Sequence, residues 1–490
     1  MFQLKLKNTA IYTILGFLPL SFSLIFTPIY TQYLSKEDYG LLNLFTIISG
    51  LLIPFFGLGI DQAFGFLYWD YNKDKKKFSE LVSTTLSLVF LIGLIFTCLG
   101  FLFGPWLIRT FVKNGAHFTV WPFLTLSLIY PFFMITNRVL LYYYRNEENI
   151  KKYAFLNLSS LLLITTGSVI GVIALNKGSE GAVEGRTIGF CIIILAFIIY
   201  EIKKIGIVFN TSIAKPLLKL GGPLFISTLV GSLAYVFDRI VIEQFGTLEM
   251  LGVYGFSVTI ASVIEILLAA LSNSFVPTIY KTILEEDETQ YENTHFQLFI
   301  FVYAIIAVVV LIIAVITPFI TLFISTNFID SIQYIPLLCL SFIPRCFTQI
   351  FSLKFYKRKK TTYVLLLNIT YLLSILILGI FFYNFLGIKG VAFSVFLTGL
   401  INMFSAYQLS KRIDPFHFRF KKLYLFFLII SISVLSLYII PQTTPYLSLF
   451  YLLPLIVFIV ASILILKKEC LQIKEYLWLS LAKFSIKRAK

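Results

Sequence analysis

Apolar residues run along this chain in stretches long enough to cross a bilayer, and charged residues are mostly confined to the gaps between them. A hydrocarbon core of about 30 Å takes about 20 apolar residues as a helix. In lipid the backbone must satisfy its own hydrogen bonds, so each stretch reads as a helix. Fourteen spans are predicted, at 9–31, 41–68, 79–103, 118–141, 153–175, 186–200, 216–243, 252–277, 296–325, 332–353, 363–385, 390–409, 423–440 and 446–466. The sixth is the shortest.

Composition narrows the class. With 58% hydrophobic and 13% charged residues, no room remains for a soluble domain. The predicted fold is an all-α polytopic membrane protein with about 14 transmembrane helices. Thirty-one of the 40 Lys and Arg fall in alternate gaps and in both terminal segments, six fall in the opposite gaps, and Arg138, Arg239 and Arg345 lie within spans. The bias places both termini in the cytoplasm. The net charge of +16 is therefore chiefly a topology signal that also favours an anionic inner leaflet, and it is no evidence for nucleic-acid binding. The first span follows Lys5 and Lys7, is too long for a signal-peptide core and lacks a small-residue cleavage site, so it reads as a retained helix. Five scattered cysteines (Cys98, Cys191, Cys339, Cys346, Cys470) make neither a metal spacing nor a disulfide framework. No cofactor or metal is predicted.

Landmarks recur at a near-constant offset. Ser35-Lys36-Glu37-Asp38-Tyr39-Gly40 and Thr247-Leu248-Glu249-Met250-Leu251-Gly252 share S/T-x-E-x-x-G at an offset of 212. Gly178-Ser179-Glu180-Gly181 and Gly387-Ile388-Lys389-Gly390 match at 209, Tyr153 and Tyr363 at 210, and Asn157 and Asn368 at 211. Turn and cap chemistry alone could produce each one. Their shared order and spacing argue for a repeat. Six helices separate equivalent landmarks, and an even number preserves orientation, which gives parallel repeats about an axis normal to the membrane. The expected domains are an N-terminal six-helix lobe at 1–206, a C-terminal six-helix lobe at 207–412, two further transmembrane helices at 413–466 and a basic amphipathic cytoplasmic tail at 467–490. In the tail Cys470, Ile473, Leu477, Leu481 and Phe484 recur at helical spacing among lysines. Two lobes around a central cavity are a transporter design.

Charges inside spans are costly and are functional candidates by default. Arg345 and Glu265 lie deepest, Asp61 is in the inner half of the second span, and Asp238 and Arg239 lie towards the outer end of the seventh. Arg138, near the cytoplasmic end of the fourth span, can snorkel to the interface. Arg345 follows Pro344, which can open a helix locally, and a guanidinium binds phosphate through a two-pronged fork. Its structural alternative is an ion pair with Glu265 or Asp330. Asp238 and Arg239 are about 100° apart around a helix and need not pair. Asp61, Glu265 and Asp238 are the candidates for ion coupling or gating, with H+ or Na+ as the coupled ion.

Three stretches resemble the Wzx-type lipid-linked oligosaccharide flippases, within the superfamily that also holds multidrug exporters and lipid II flippases. They are the run from Phe17 to Gly40 (FLPLSFSLIFTPIYTQYLSKEDYG), the run from Gly221 to Ser257 with its Asp238–Arg239 pair, and GIKGVAFSVFLTG from Gly387 to Gly399. The resemblance implies two six-helix lobes around a V-shaped cavity and alternating access in a bacterial inner membrane. It implies transport of undecaprenyl-pyrophosphate-linked oligosaccharide repeat units to the outer leaflet for O-antigen, capsule or exopolysaccharide synthesis. The bilayer, a polysaccharide polymerase and a chain-length regulator are the implied partners. Arg345, Arg239 and Arg138 become candidate pyrophosphate binders. Many relatives carry an Arg after the small residues ending the second span, where this chain reads Ala63-Phe64-Gly65-Phe66, so weight shifts to Arg345 and Arg239.

Two other functions are compatible with parts of this pattern. A cation-coupled drug antiporter on the same fold would favour acidic groups in its cavity, against which the three intramembrane arginines weigh. A membrane polymerase or glycosyltransferase would need a sizeable outer loop with clustered catalytic groups. His117, His295 and His417 lie in separate loops, without metal or triad spacing.

Overall fold

In the computed structural model, the described residues are 26–71, 74–265, 268, 288–320, 324–357, 362–413, 421–438 and 450–465, and they are helical with short connections and no strands. The helices are α1 (26–33), α2 (Lys36–Gly57), α3 (Ile60–Tyr71), α4 (Lys75–Phe111), α5 (Thr125–Asn146), α6 (Ile150–Val169), α7 (Gly178–Ile205), α8 (Thr211–Phe245) and α9 (Leu248–Ala261). They continue as α10 (Glu288–Leu311), α11 (Ile335–Leu340), α12 (Phe342–Lys357), α13 (Thr362–Leu386), α14 (Ile388–Ile413), α15 (Lys421–Ser436) and α16 (Leu453–Ile465). Among the described residues, 11 helical segments are long and apolar enough to cross a membrane. The all-helical, multi-pass prediction therefore holds. The 467–490 tail lies outside the described residues.

Side-chain caps start many of these helices. Ser35 and Asp38 form a reciprocal capping box at α2, with Asp38 N donating to Ser35 Oγ at 3.0 Å. Thr247 caps α9 through Met250 N at 3.3 Å, so both copies of the repeated motif are helix starts. Asp74, Asn149 and Asn210 cap α4, α6 and α8.

Three boundaries differ from the hydropathy reading. The second span is broken: Leu58 adopts a left-handed conformation (φ 44°) and donates its N–H to Pro54 O, and the chain restarts as α3. The sixth span is a 28-residue helix, and its first turns are rich in Gly and Glu, which hydropathy reads as loop. The tenth is interrupted at Ser341, three residues before Pro344. Pro344 sits in the first turn of α12, where a missing N–H costs nothing.

The chain gathers into two compact units, one comprising Met1–Val263, Ile324–Ser331 and Leu365–Ser394, the other Ile264–Phe323, Ile332–Val364 and Val395–Lys490. The first has a core of aromatic side chains, with Phe45, Phe56, Phe64, Tyr143, Tyr144, Tyr254 and Phe256 buried. In the second, Phe347 packs against Tyr424 and Phe351 against Tyr407, over buried Phe426 and Ile430. Exposed side chains on α13 fall four apart, at Leu373, Ile377, Phe381 and Phe385, the spacing of one helix face. This is the apolar face that a membrane helix turns to lipid.

Two seams bring backbones into contact. A Cβ on Gly40 of α2 would meet Leu248 O of α9 at 2.1 Å, and one on Gly252 of α9 would meet Lys36 O at 2.1 Å. The contact is reciprocal because Lys36 and Leu248 hold the same place in the repeated motif. The Gly178 and Gly387 pair is also matched, with φ of 55° and 58°, a conformation that side chains with a Cβ disfavour. In the second seam α6 and α7 run antiparallel through Gly167-x-x-x-Gly171 and Gly181-x-x-x-Gly185. A Cβ on Gly171 would meet Gly181 O at 1.9 Å, and one on Gly185 would meet Gly167 O at 1.9 Å. Small residues four apart are what allow such an approach in lipid.

Candidate functional site

The six predicted site residues form three separate acid–arginine pairs. Glu265, just beyond α9, accepts from Arg345 Nη2 of α12 at 2.9 Å, in the second unit. Asp61 of α3 lies 3.8 Å from Arg138 Nη1 of α5, in the first unit. Asp238 and Arg239 of α8, also in the first unit, face each other at 3.5 Å.

Local structure explains each pair. The break at Leu58 puts Asp61 in the first turn of α3, where the helix dipole favours negative charge. Only 3% of Asp61 is exposed, while Arg138 reaches it from a part-exposed position within the second half of α5. Asp238 and Arg239 do pair, against the expectation from their angular separation. The long arginine side chain curls back along α8, donating from Nη2 to Tyr235 O at 2.8 Å and lying over the Tyr235 ring at 5.2 Å. Tyr254 of α9 donates to Asp238 Oδ2 at 2.8 Å, so the buried pair ties α8 to α9. Arg239 would meet an outside ligand only if this contact opened.

Arg345 is different. Its side chain is 49% exposed and its guanidinium lies 5.8 Å from the Phe342 ring, with Glu265 part-exposed beside it. Charged side chains within spans face a bundle interior or a hydrated cavity. The pair the sequence offered as the structural alternative for Arg345 is thus present, through Glu265. Asp330 pairs instead with Lys36 at 3.1 Å.

Several polar groups escaped the sequence reading. Glu201 of α7 is fully buried and accepts from Lys152 Nζ and Tyr144 OH, both at 2.8 Å, which clamps α5, α6 and α7 together. Glu243 accepts from Asn114 N at 2.9 Å and fixes the end of α8 to the loop after α4. Arg186, read from sequence as an outer-gap residue, lies two turns inside α7 and lines a cavity in the first unit. The α6–α7 glycine motifs were the legible signal for this placement. Outside the spans, Lys177 is held by Glu184 at 2.9 Å, and this hydrogen bond pushes its ammonium above the ordinary lysine range. Among the described residues, no cluster of His, Cys, Asp and Glu could hold a metal ion.

Among the described residues, 11 spanning helical segments, backbone-tight seams and charge pairs inside the spans define a polytopic membrane protein, and its fold is similar to that of solved flippase and exporter structures. The lipid II flippase MurJ in an inward closed conformation is 18% identical, with a TM-score of 0.70 over 93% of this chain and 99% of that one. An inward-facing multidrug resistance MATE family transporter of the MOP superfamily is 18% identical, with a TM-score of 0.66 over 83% of this chain and 95% of that one. An outward-facing member of the same kind gives 0.59 at 19% identity, over 83% and 94%. No curated protein sequence matches the chain. The model of the family described as Polysaccharide biosynthesis protein matches residues 5–283, more than half of the chain. The chain belongs to that family.

Proposed function

We propose that this protein is a flippase that carries undecaprenyl-pyrophosphate-linked oligosaccharide units from the cytoplasmic to the outer leaflet of a bacterial inner membrane. The observation that carries the reading is Arg345: a half-exposed guanidinium inside a spanning helix, paired with the part-exposed carboxylate of Glu265. Family membership supports the polysaccharide context, and the fold supports transport.

The substrate's pyrophosphate and the Glu265 carboxylate compete for the same donors. A guanidinium can exchange one bidentate oxyanion partner for another without changing its own charge. Loss of the negative charge on Glu265, by protonation or by a bound cation, would release Arg345 to the headgroup. Asp61 and Arg138 form a second switch of the same design. Asp238 and Arg239, being buried, act as a gate between α8 and α9. The sugar would follow a hydrated cleft while the polyprenyl tail stays in lipid.

Alternating access in this proposal uses six-helix repeats at 1–206 and 207–412, with both termini cytoplasmic. The reciprocal Gly40–Leu248 and Gly252–Lys36 contacts support that division, because equivalent residues of the two repeats meet across a local two-fold. The deciding experiment is a transport assay in proteoliposomes with a pyrophosphate-linked oligosaccharide. Substrate-dependent translocation that Arg345→Ala abolishes supports the reading, and undiminished translocation by a folded Arg345→Ala protein refutes the assignment of Arg345.

A further inference from the structure

The cavity beside Arg186 is separate from the three charge pairs. It is a part-open cavity of about 400 Å³ within the first unit, among α1, α2, α5, α6 and α7. Its polar lining includes Tyr30, Asn137, Asn157, Ser160 and Arg186. Tyr30 OH donates to Ser168 Oγ at 2.8 Å. The Arg186 guanidinium sits 5.3 Å from the centres of both the Phe45 and the Tyr130 rings. Rings so placed attract the cation but leave its edge N–H groups unanswered. Among the described residues, Arg186 Nε has no hydrogen-bond partner, and neither has Asn137 Oδ1 or Ser160 Oγ, all three of them buried.

Among the described residues, the charge on Arg186 has no acidic partner. A guanidinium cannot shed its proton in a protein. Among the described residues no carboxylate forms an ion pair with it. Glu184 is engaged by Lys177 at 2.9 Å, and Asp38 accepts from Ser179 Oγ at 2.6 Å and from Ser35 Oγ at 2.8 Å. Residues 1–25, which include most of the first span, contain no Asp or Glu. Arg186 is part-exposed, with its Nε buried and unpartnered at the cavity wall. A guanidinium lining a cavity can take its counter-charge from outside the chain.

We propose that this cavity binds one small monovalent anion against Arg186, within the first unit and independently of the flippase reading. One guanidinium balances one negative charge, so pyrophosphate is a poor match. The space accommodates a halide with water, or a single carboxylate, given a liquid volume of about 30 Å³ per water. The side-chain amides and hydroxyls of Asn137 and Ser160 can turn a donor towards it. Two sources share this chemistry: free chloride, and a carboxylate borne by an acidic sugar.

The test uses the full chain in detergent, exchanged into a halide-free sulfate buffer. Chloride, bromide and glucuronate are titrated by calorimetry at constant ionic strength, and bromide is located by anomalous diffraction. The expected result is saturable binding at one ion per chain, lost in Arg186→Gln and retained in Arg345→Ala. Halide binding assigns the free ion, and binding of glucuronate alone assigns the carboxylate. Should Arg186→Gln fail to fold, a bromide peak in the unsubstituted protein within hydrogen-bonding distance of the Arg186 guanidinium decides in favour. Absence of saturable binding by all three anions, or a bromide peak elsewhere, overturns the proposal. Undiminished flipping by Arg345→Ala with intact anion binding would instead count against the Arg345 reading.

Discussion

Arg345 and Arg239 are both arginines within spans, yet their surroundings set them to different work. Arg345 is half exposed, so its pair with Glu265 is readily exchanged. Charge-assisted hydrogen bonds contribute roughly 1.5–3 kcal/mol each. Arg345→Ala is expected to weaken headgroup binding on the order of tenfold to a hundredfold while leaving the melting temperature in detergent close to that of the parent, as direct binding and thermal-shift measurements would show. Glu265→Gln removes the competitor, so it should tighten binding of the headgroup and slow its release. Unchanged affinity in that variant would contradict the exchange. Arg239 is buried against Asp238, Tyr235 and, through Asp238, Tyr254. Removing one member of a buried pair costs roughly 3–5 kcal/mol. Asp238→Ala should therefore show a lowered melting temperature before any transport defect is scored. The identity of these residues was legible from sequence because charge inside an apolar stretch is conspicuous. Their partners were not. Asp61 meets Arg138 only because the chain breaks at Leu58, and no apolar pattern announces that break.

At the level of helices, hydropathy locates apolar length but is blind to close packing. It found the 11 spanning segments among the described residues, and it placed the start of the sixth span too late because Gly178–Gly185 is poor in large apolar side chains. Those glycines let α7 lie against α6, and this carries Arg186 into the interior. The repeated S/T-x-E-x-x-G motif was legible as cap chemistry, but the sequence does not show that the two copies touch. Their contact makes a prediction. Gly252→Ala puts a methyl group where Lys36 O sits at 2.1 Å, so α2 and α9 must part. A cysteine replacing Asn43, which packs against Gly255 across the same seam, should then react faster with a membrane-impermeant maleimide than it does beside Gly252. Equal labelling rates would show that the seam does not open under this load.

For the whole molecule, composition gives the class and charge predicts the direction. The asymmetry of Lys and Arg between alternate gaps predicts that reporters fused after residue 206 or 412 report the cytoplasm, while a reporter at 114 reports the outer side. The reverse pattern would invert the transport direction proposed here. The chain's membership of the polysaccharide biosynthesis protein family, together with a fold seen in lipid II flippase and exporter structures, sets the setting for that transport. The central claim is the movement of a lipid-linked oligosaccharide across the bilayer. The most direct test is the leaflet in which such units accumulate in cells lacking this protein and any redundant flippase, with and without its restoration. The account predicts completed units trapped on the cytoplasmic face, loss of surface polymer, and recovery of both on restoration. Units that still reach the outer face but stay unpolymerised would contradict it.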